Sequence, residues 1–286
     1  MFVGNHLTDS PAALFSQDDA STIERDVRAA AGAGLSGFLA NWHGTGLPGQ
    51  TTADIGYSRR LASLVAVVHR VQSEGTPFHV RISLQASAKL LTTSAIANDL
   101  DYLARTYATD SAFDRIRGRP VVVWTGSRKY PVDVLRTISA RFRGAFFFVG
   151  DETWATWSGD RAAALDGATD YWSTQDPFGN PASFQQLQTL AGMVRASGAN
   201  PDGSAKVWLA PFAPGYDSVL DGGTTCIPRR DGETMRALFR GNAATNPDGW
   251  VLISWNEVTE GTYVEPLQRY GTRFLDVTRT LLAGSG

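Results

Sequence analysis

Residues 249–266 read GWVLISWNEVTEGTYVEP, and their change of character decides how the chain is read. Trp250 to Ile253 is a short apolar run of the kind that forms a strand buried on both faces. Within two residues it gives way to Trp255, Asn256, Glu257, Val258, Thr259 and Glu260. Carboxylates avoid apolar surroundings unless they are paired, hydrogen-bonded or used. Gly261 then offers a place for a sharp turn, Glu265-Pro266 closes the segment, and helical periodicity runs from Arg269 to Leu282.

Outward from this stretch the same alternation recurs. Strand-like runs lie at Phe2-Val3-Gly4, in LSGFLANWHG (35–44), FHVRISLQA (78–86), VVVWTGS (121–127), AFFFVGDE (145–152), LDGATDYWST (165–174) and VWLAPFAPGYD (207–217). Helical segments between them follow Asp18-Asp19 to Ala33, then Tyr57 to Glu74, Ile96 to Tyr107, Asp133 to Phe142, Arg161 to Ala164, Phe184 to Ala196 and Glu233 to Asn242. Eight strand candidates result, each followed by a helix, with no linker or composition break. Repeated βα units with nearly continuous apolar strands mean a parallel sheet covered by helices. Eight of them over residues 1–286 predict an α/β fold, a single-domain (β/α)8 TIM barrel. The competing doubly wound sheet advertises a Gly-rich phosphate turn after its first strand, and none is present.

Composition narrows the function classes. A net charge of -2 gives no reason to expect nucleic acid or an anionic membrane as partner. No apolar run reaches the roughly 20 residues of a membrane span. The single cysteine, Cys226, allows neither an internal disulfide nor a cysteine metal cluster. The opening MFVGNHLTDS has no basic and apolar leader pattern, so no signal peptide is read there, and the compartment stays open.

In a barrel of this kind chemistry sits at the C-terminal ends of the strands. Those ends carry His6, Asn41, Trp42, His43, Gln85, Trp124, Thr125, Asp151, Glu152, Tyr171, Trp172, Tyr216, Asp217 and the run from Trp255 to Glu260, with Trp154 and Glu265 close behind. Aromatics, amides and carboxylates suit the ring faces and hydroxyls of a neutral poly- or oligosaccharide. An anionic substrate would call for the basic residues these ends lack. Glu257 and Glu260 have the elements of glycoside hydrolysis, one carboxyl protonating the leaving oxygen and the other acting as base or nucleophile. On an extended strand they would point to opposite faces, so the chain must turn after Trp255 for them to share a pocket. Held so closely, each would raise the other's pKa. Asp151-Glu152 is either a second carboxylate pair, working with Glu257 in an inverting enzyme, or a helix-capping pair. A barrel that binds carbohydrate without cleaving it is the other open reading. No convincing metal-ligand set accompanies His6 and His43, and no cofactor is expected.

The segment Trp255-Asn256-Glu257-Val258-Thr259-Glu260-Gly261-Thr262, with Glu265-Pro266, resembles the Trp-Asn-Glu-Trp-His-Glu-Gly-Thr…Glu-Pro signature of glycoside hydrolase family 99, the endo-α-mannosidase and endo-α-mannanase type, and of related family 71-like barrels. GRPVVVW (118–124), DGATDYWSTQDP (166–177), PGYDS (214–218) and Arg230-Asp231-Gly232 follow in the family's order. The resemblance implies a (β/α)8 barrel and retaining hydrolysis of an α-glycosidic bond within a chain. It assigns Glu257 as the base toward a sugar 2-hydroxyl, giving an anhydrosugar intermediate, and Glu260 as general acid/base. Asn256 and Tyr216 would hold substrate hydroxyls. Val258 and Thr259 stand where the signature has Trp and His.

Overall fold

The computed structural model describes residues 9–10, 16–45, 52–85, 91–171 and 175–284. Its elements are α1 (Ala20–Gly32), β1 (Gly37–Trp42), α2 (Thr52–Ser73), β2 (His79–Gln85), α3 (Thr93–Tyr107), β3 (Arg115–Ile116), β4 (Arg119–Thr125), α4 (Val132–Phe142), β5 (Phe147–Asp151), α5 (Gly159–Ala164), β6 (Gly167–Thr169), α6 (Ala182–Ala196), β7 (Val207–Phe212), β8 (Tyr216–Asp217), β9 (Cys226–Ile227), α7 (Glu233–Ala243), β10 (Gly249–Leu252) and α8 (Arg273–Ala283).

Seven strands run parallel in the order β1-β2-β4-β5-β6-β7-β10. Each follows its neighbour through a helix, as expected of βα units. The expected first strand, Phe2 to Gly4, and His6 lie outside the described residues. Among the described residues β1 and β10 are therefore the two edges of a curled sheet, and the closed eight-stranded ring expected from the sequence is described here as seven strands. The two edges face each other, the rings of Phe38 at the start of β1 and Trp255 just past β10 lying 5.2 Å apart.

Two small elements were not expected. β3 pairs antiparallel with β4, through a turn at Arg117 (φ 53) and Gly118 (φ 76). Two successive positive φ values make the turn that matches the twist of a hairpin, and only the second falls on glycine. β8 and β9 form a separate antiparallel pair between β7 and α7.

The period-2 alternation of the strands sorts their side chains into two layers. Val121 and Val123 of β4, Phe147 and Val149 of β5, Leu209 of β7 and Val251 of β10 gather in one cluster inside the curl. Val122 and Trp124 of β4, Phe148 of β5, and Val80, Ile82 and Leu84 of β2 belong to the other, with Val65 and Val68 of α2, Leu100 and Leu103 of α3 and Ile138 of α4. Each fully buried side chain of this size contributes about 1.5–3 kcal/mol. The helices are capped where the sequence allows. Asp19 accepts the Ser21 N–H at 2.9 Å at the start of α1, and Thr92 the Ala95 N–H at 3.2 Å at the start of α3.

Candidate active site

A polar layer crosses the C-terminal ends of the strands. The Ser83 hydroxyl lies 2.6 Å from that of Thr125 and donates weakly to Asn41 Oδ1 at 3.4 Å. Beyond Thr125, the Gly126 N–H donates to Asp151 Oδ2 at 2.7 Å, and the Tyr171 N–H donates to Asp151 Oδ1 at 3.0 Å. Asp151 thus ties the ends of β4, β5 and β6 together.

The chain turns after β10, but the turn does not bring Glu257 and Glu260 into one pocket as expected: each lines a cavity of its own. The Ser254 N–H donates to the Thr262 carbonyl at 2.9 Å, and the Val264 N–H returns to Ser254 at 3.1 Å and Trp255 at 2.9 Å. Inside this closed loop the Glu257 N–H donates to Ser254 Oγ at 3.0 Å, and the Gly261 N–H donates to the Val258 carbonyl at 3.1 Å. Gly261 sits at φ +63, a region L side chains rarely adopt, and a Cβ there would touch Asp217 at 3.4 Å. Thr259 Oγ1 donates to Glu257 Oε1, so Thr259 supports a carboxylate from the position where the family signature has His.

The two glutamates line adjoining cavities. Glu257, exposed, lines one of about 410 Å³ that runs along the whole gap between β1 and β10, from Ser36, His79 and Asp114 at its N-terminal end to Asn41, Tyr57, Tyr171 and Asn256 at the mouth. Glu260, half-buried, lines one of about 30 Å³ with Tyr171, Gln175 and Tyr216. Tyr171 belongs to both and separates them. Burial is the first cause that raises its phenol pKa, and the charges of Glu260 and then Glu257 raise it further. Both carboxylates therefore act on one phenol.

Other sequence candidates are placed differently. Trp42 is buried, stacks on Tyr102 and donates from its indole to Ser58 Oγ at 3.2 Å, while still bordering the large cavity. His43 stacks on Tyr57 at 4.3 Å, one step back from the cavity wall. Trp124 is not at the mouth: its neighbour Thr125 takes the inner layer, so alternation turns Trp124 outward against Tyr130 and Phe148. Gln85 ends β2 in register with Thr125 and borders neither cavity. Trp154 is 47% exposed on the loop after β5, also away from both. Trp172 lies outside the described residues.

Glu152 is committed within the protein. Fully buried, it accepts from Ser127 Oγ at 2.6 Å, Thr156 Oγ1 at 2.8 Å, and Arg161 Nε and Nη2 at 2.8 and 2.7 Å. It borders neither cavity, and neither does Asp151; the hydrogen bonds of both carboxylates go to the protein's own donors. Glu265 is likewise buried behind the loop, paired with Arg25 at 3.1 Å. Burial, and next the charge of Asp26, push its pKa up to about 7.

Several residues were missed from the sequence. Tyr57 and Arg60 sit on a helix and Arg81 points inward from β2, and all three border the large cavity. Attention to strand ends passes over them, and only knowledge of which helix turn faces the mouth could have found Tyr57. Both arginines are paired, Arg60 with Asp18 at 2.8 Å and Arg81 with Asp114 at 2.6 Å, so the cavity gains little net positive charge. Asp170 reads from the sequence as a turn residue. It instead lies 3.7 Å from Arg128 and beside Asp151, and burial followed by the Asp151 charge raises its pKa to about 7. Among the described residues no group of three or more His, Cys, Asp or Glu is arranged to hold a metal ion, and no helix is long and apolar enough to cross a membrane.

These features define a class: a parallel β/α sheet, curled as in TIM barrels, with aromatic and acidic residues at its C-terminal mouth. No family model matches the sequence, and no curated protein does. Solved structures do match. The endo-α-mannosidase of glycoside hydrolase family 99 from Bacteroides thetaiotaomicron aligns over 98% of this chain and 83% of its own, with TM-score 0.78 and 16% identity. Its complex with bis-tris propane gives TM-score 0.76 at 17% identity, covering 98% and 88% of the two chains. A glycoside hydrolase-like protein gives TM-score 0.68 at 11% identity, over 96% and 89%. The likeness is one of fold, a curled parallel β/α sheet shared with these proteins.

Proposed function

We propose that this protein is an endo-acting glycoside hydrolase that cleaves α-glycosidic bonds in a polysaccharide or glycan with retention. The observation that carries the reading is the placement of Glu257 and Glu260 on one closed loop at the C-terminal end of β10, on the two sides of Tyr171. The shared fold with a family 99 endo-α-mannosidase supports it.

In this reading Glu257 draws the proton from the 2-hydroxyl of the sugar being cleaved. The freed O2 attacks C1 as the glycosidic bond breaks, and Glu260 protonates the leaving oxygen. Glu260, now a carboxylate, takes a proton from water, whose oxygen opens the anhydrosugar at C1, and Glu257 returns its proton to O2. Two inversions at C1 give net retention. Tyr171 and Asn256 bind and orient hydroxyls in the large cavity, Tyr216 does so beside Glu260, and Trp255 offers a ring face.

A panel of polysaccharides differing in linkage, α-mannans among them, tests the reading through released oligosaccharides, with the anomer of the new reducing end followed by NMR. Retained configuration, lost in Glu257→Gln and Glu260→Gln, is the expected result. Full activity in either variant, or inversion, would rule out the assignment. Glycan binding by wild type without any released sugar would make the barrel a binding protein.

A further inference from the structure

Arg229 lies between β9 and α7, outside both cavities, and only 8% of it is exposed. Its guanidinium carbon stands 4.0 Å from the ring centroid of Tyr263, 4.5 Å from that of Phe274 and 5.0 Å from that of Tyr270. Its Nη2 donates to the carbonyl of Gly261 at 2.7 Å. Among the described residues no carboxylate forms a salt bridge with it. A buried cation with no carboxylate in contact, the buried Asp9 acting on it only through space, is an unfavourable way to fill a core. Three ring faces offset that through cation–π attraction, which strengthens where water is excluded. The guanidinium's hydrogen bond to a carbonyl is charge-assisted.

The carbonyl it holds is that of the residue following Glu260. The carbonyl of Glu260 itself accepts the Asp217 N–H at 2.7 Å. Consecutive carbonyls on the carboxylate-bearing loop are thus gripped from the β7–α7 side, one by a backbone amide and one by Arg229. We propose that Arg229 is a positioning residue that sets the place of Glu260 through the Gly261 carbonyl, without touching substrate. This rests on the reading of Glu260 as general acid/base. The anchoring of the loop itself does not.

Two measurements on Arg229→Met, which keeps apolar bulk and drops the donor, test it, with Arg229→Lys and Arg229→Ala alongside. Hydrogen exchange of the peptide covering residues 254–264 is expected to quicken about tenfold or more in Arg229→Met, with β4 to β7 protected as in wild type. On a glycan that wild type cleaves, kcat is expected to fall on the order of 10- to 100-fold with KM within about twofold, because a displaced acid weakens the chemical step more than binding. Arg229→Lys should recover part of the loss, and millimolar guanidinium should raise the activity of Arg229→Ala by refilling the aromatic box. Unchanged exchange in 254–264, loosening spread over the whole barrel, or a rise in KM at constant kcat would each overturn the proposal. If wild type cleaves no glycan, the functional reading falls and exchange alone decides the anchoring. If Arg229→Met does not fold, the lysine variant carries the same exchange comparison.

Discussion

The backbone N–H of Asp217 donates to the carbonyl of Glu260 at 2.7 Å, so the excursion after β7 and the loop after β10 meet at a carboxylate-bearing residue. Both are long, residues 213–232 and 253–272, and each is held by its own turn as well as by this contact. The mouth of the sheet is therefore built before any ligand arrives, a condition for positioning catalytic groups.

Glu257 is exposed and its side chain carries little of the fold. Glu257→Gln is expected to leave the thermal midpoint within about 1 °C while lowering turnover by roughly 10²–10⁴-fold, the range of a lost general base. Parallel thermal and kinetic assays check it, and a large loss of stability would point to a structural role instead.

Tyr171 faces both carboxylates. Tyr171→Phe removes the hydroxyl and keeps the ring that separates the cavities. Turnover should fall by up to about tenfold, a hydrogen bond to a sugar hydroxyl being worth about 0.5–1.5 kcal/mol, with the pH profile displaced because a neighbour of both glutamates has changed. A wild-type pH profile would remove Tyr171 from the site.

Arg161 donates to Glu152 through two nitrogens and reaches the carbonyls of Ser127 and Tyr130 at 2.6 and 2.9 Å. Arg161→Met strands a buried carboxylate, and stability should drop by about 3–5 kcal/mol. Activity per folded molecule should persist at low temperature. Selective loss of turnover in folded protein would instead return Glu152 to the list of reacting groups.

Asp151, Asp170 and Glu265 hold their protons more tightly in the fold than in the unfolded chain, with values of about 6, 7 and 7 against ordinary values of 3.8, 3.8 and 4.5. Such groups favour the folded state at low pH, and that contribution is lost as the pH rises from about 4 to about 7. The thermal midpoint should thus be higher near pH 5 than near pH 8. Below pH 4 the exposed acids whose pKa is lowered by arginine partners, Asp18 and Glu24, turn the trend downward. Glu265→Gln should shrink the difference between pH 5 and pH 8 by roughly 2–4 °C. Identical profiles in wild type and variant would refute the Glu265 contribution.

The seven described barrel strands and their helices were legible because period-2 and period-3.6 apolar patterns are local properties of the chain. Trp255 to Glu260 stood out for the same reason, an abrupt local change from apolar to acidic. What local reading could not reach was direction in space. Trp124 and Thr125 are neighbours, yet alternation sends one to the helices and the other to the polar layer. Glu152 looks as reactive as Glu257 until Arg161, nine residues on, closes over it.

The sequence by itself determined the order of βα units, the polar ends of the strands and the pair of glutamates beside Gly261. Only the tertiary structure decided that Tyr171 stands between those glutamates and that Arg229 is boxed by three rings against the Gly261 carbonyl. These relations join residues far apart along the chain. Their energies depend on distance, burial and facing in three dimensions, which composition and spacing do not encode.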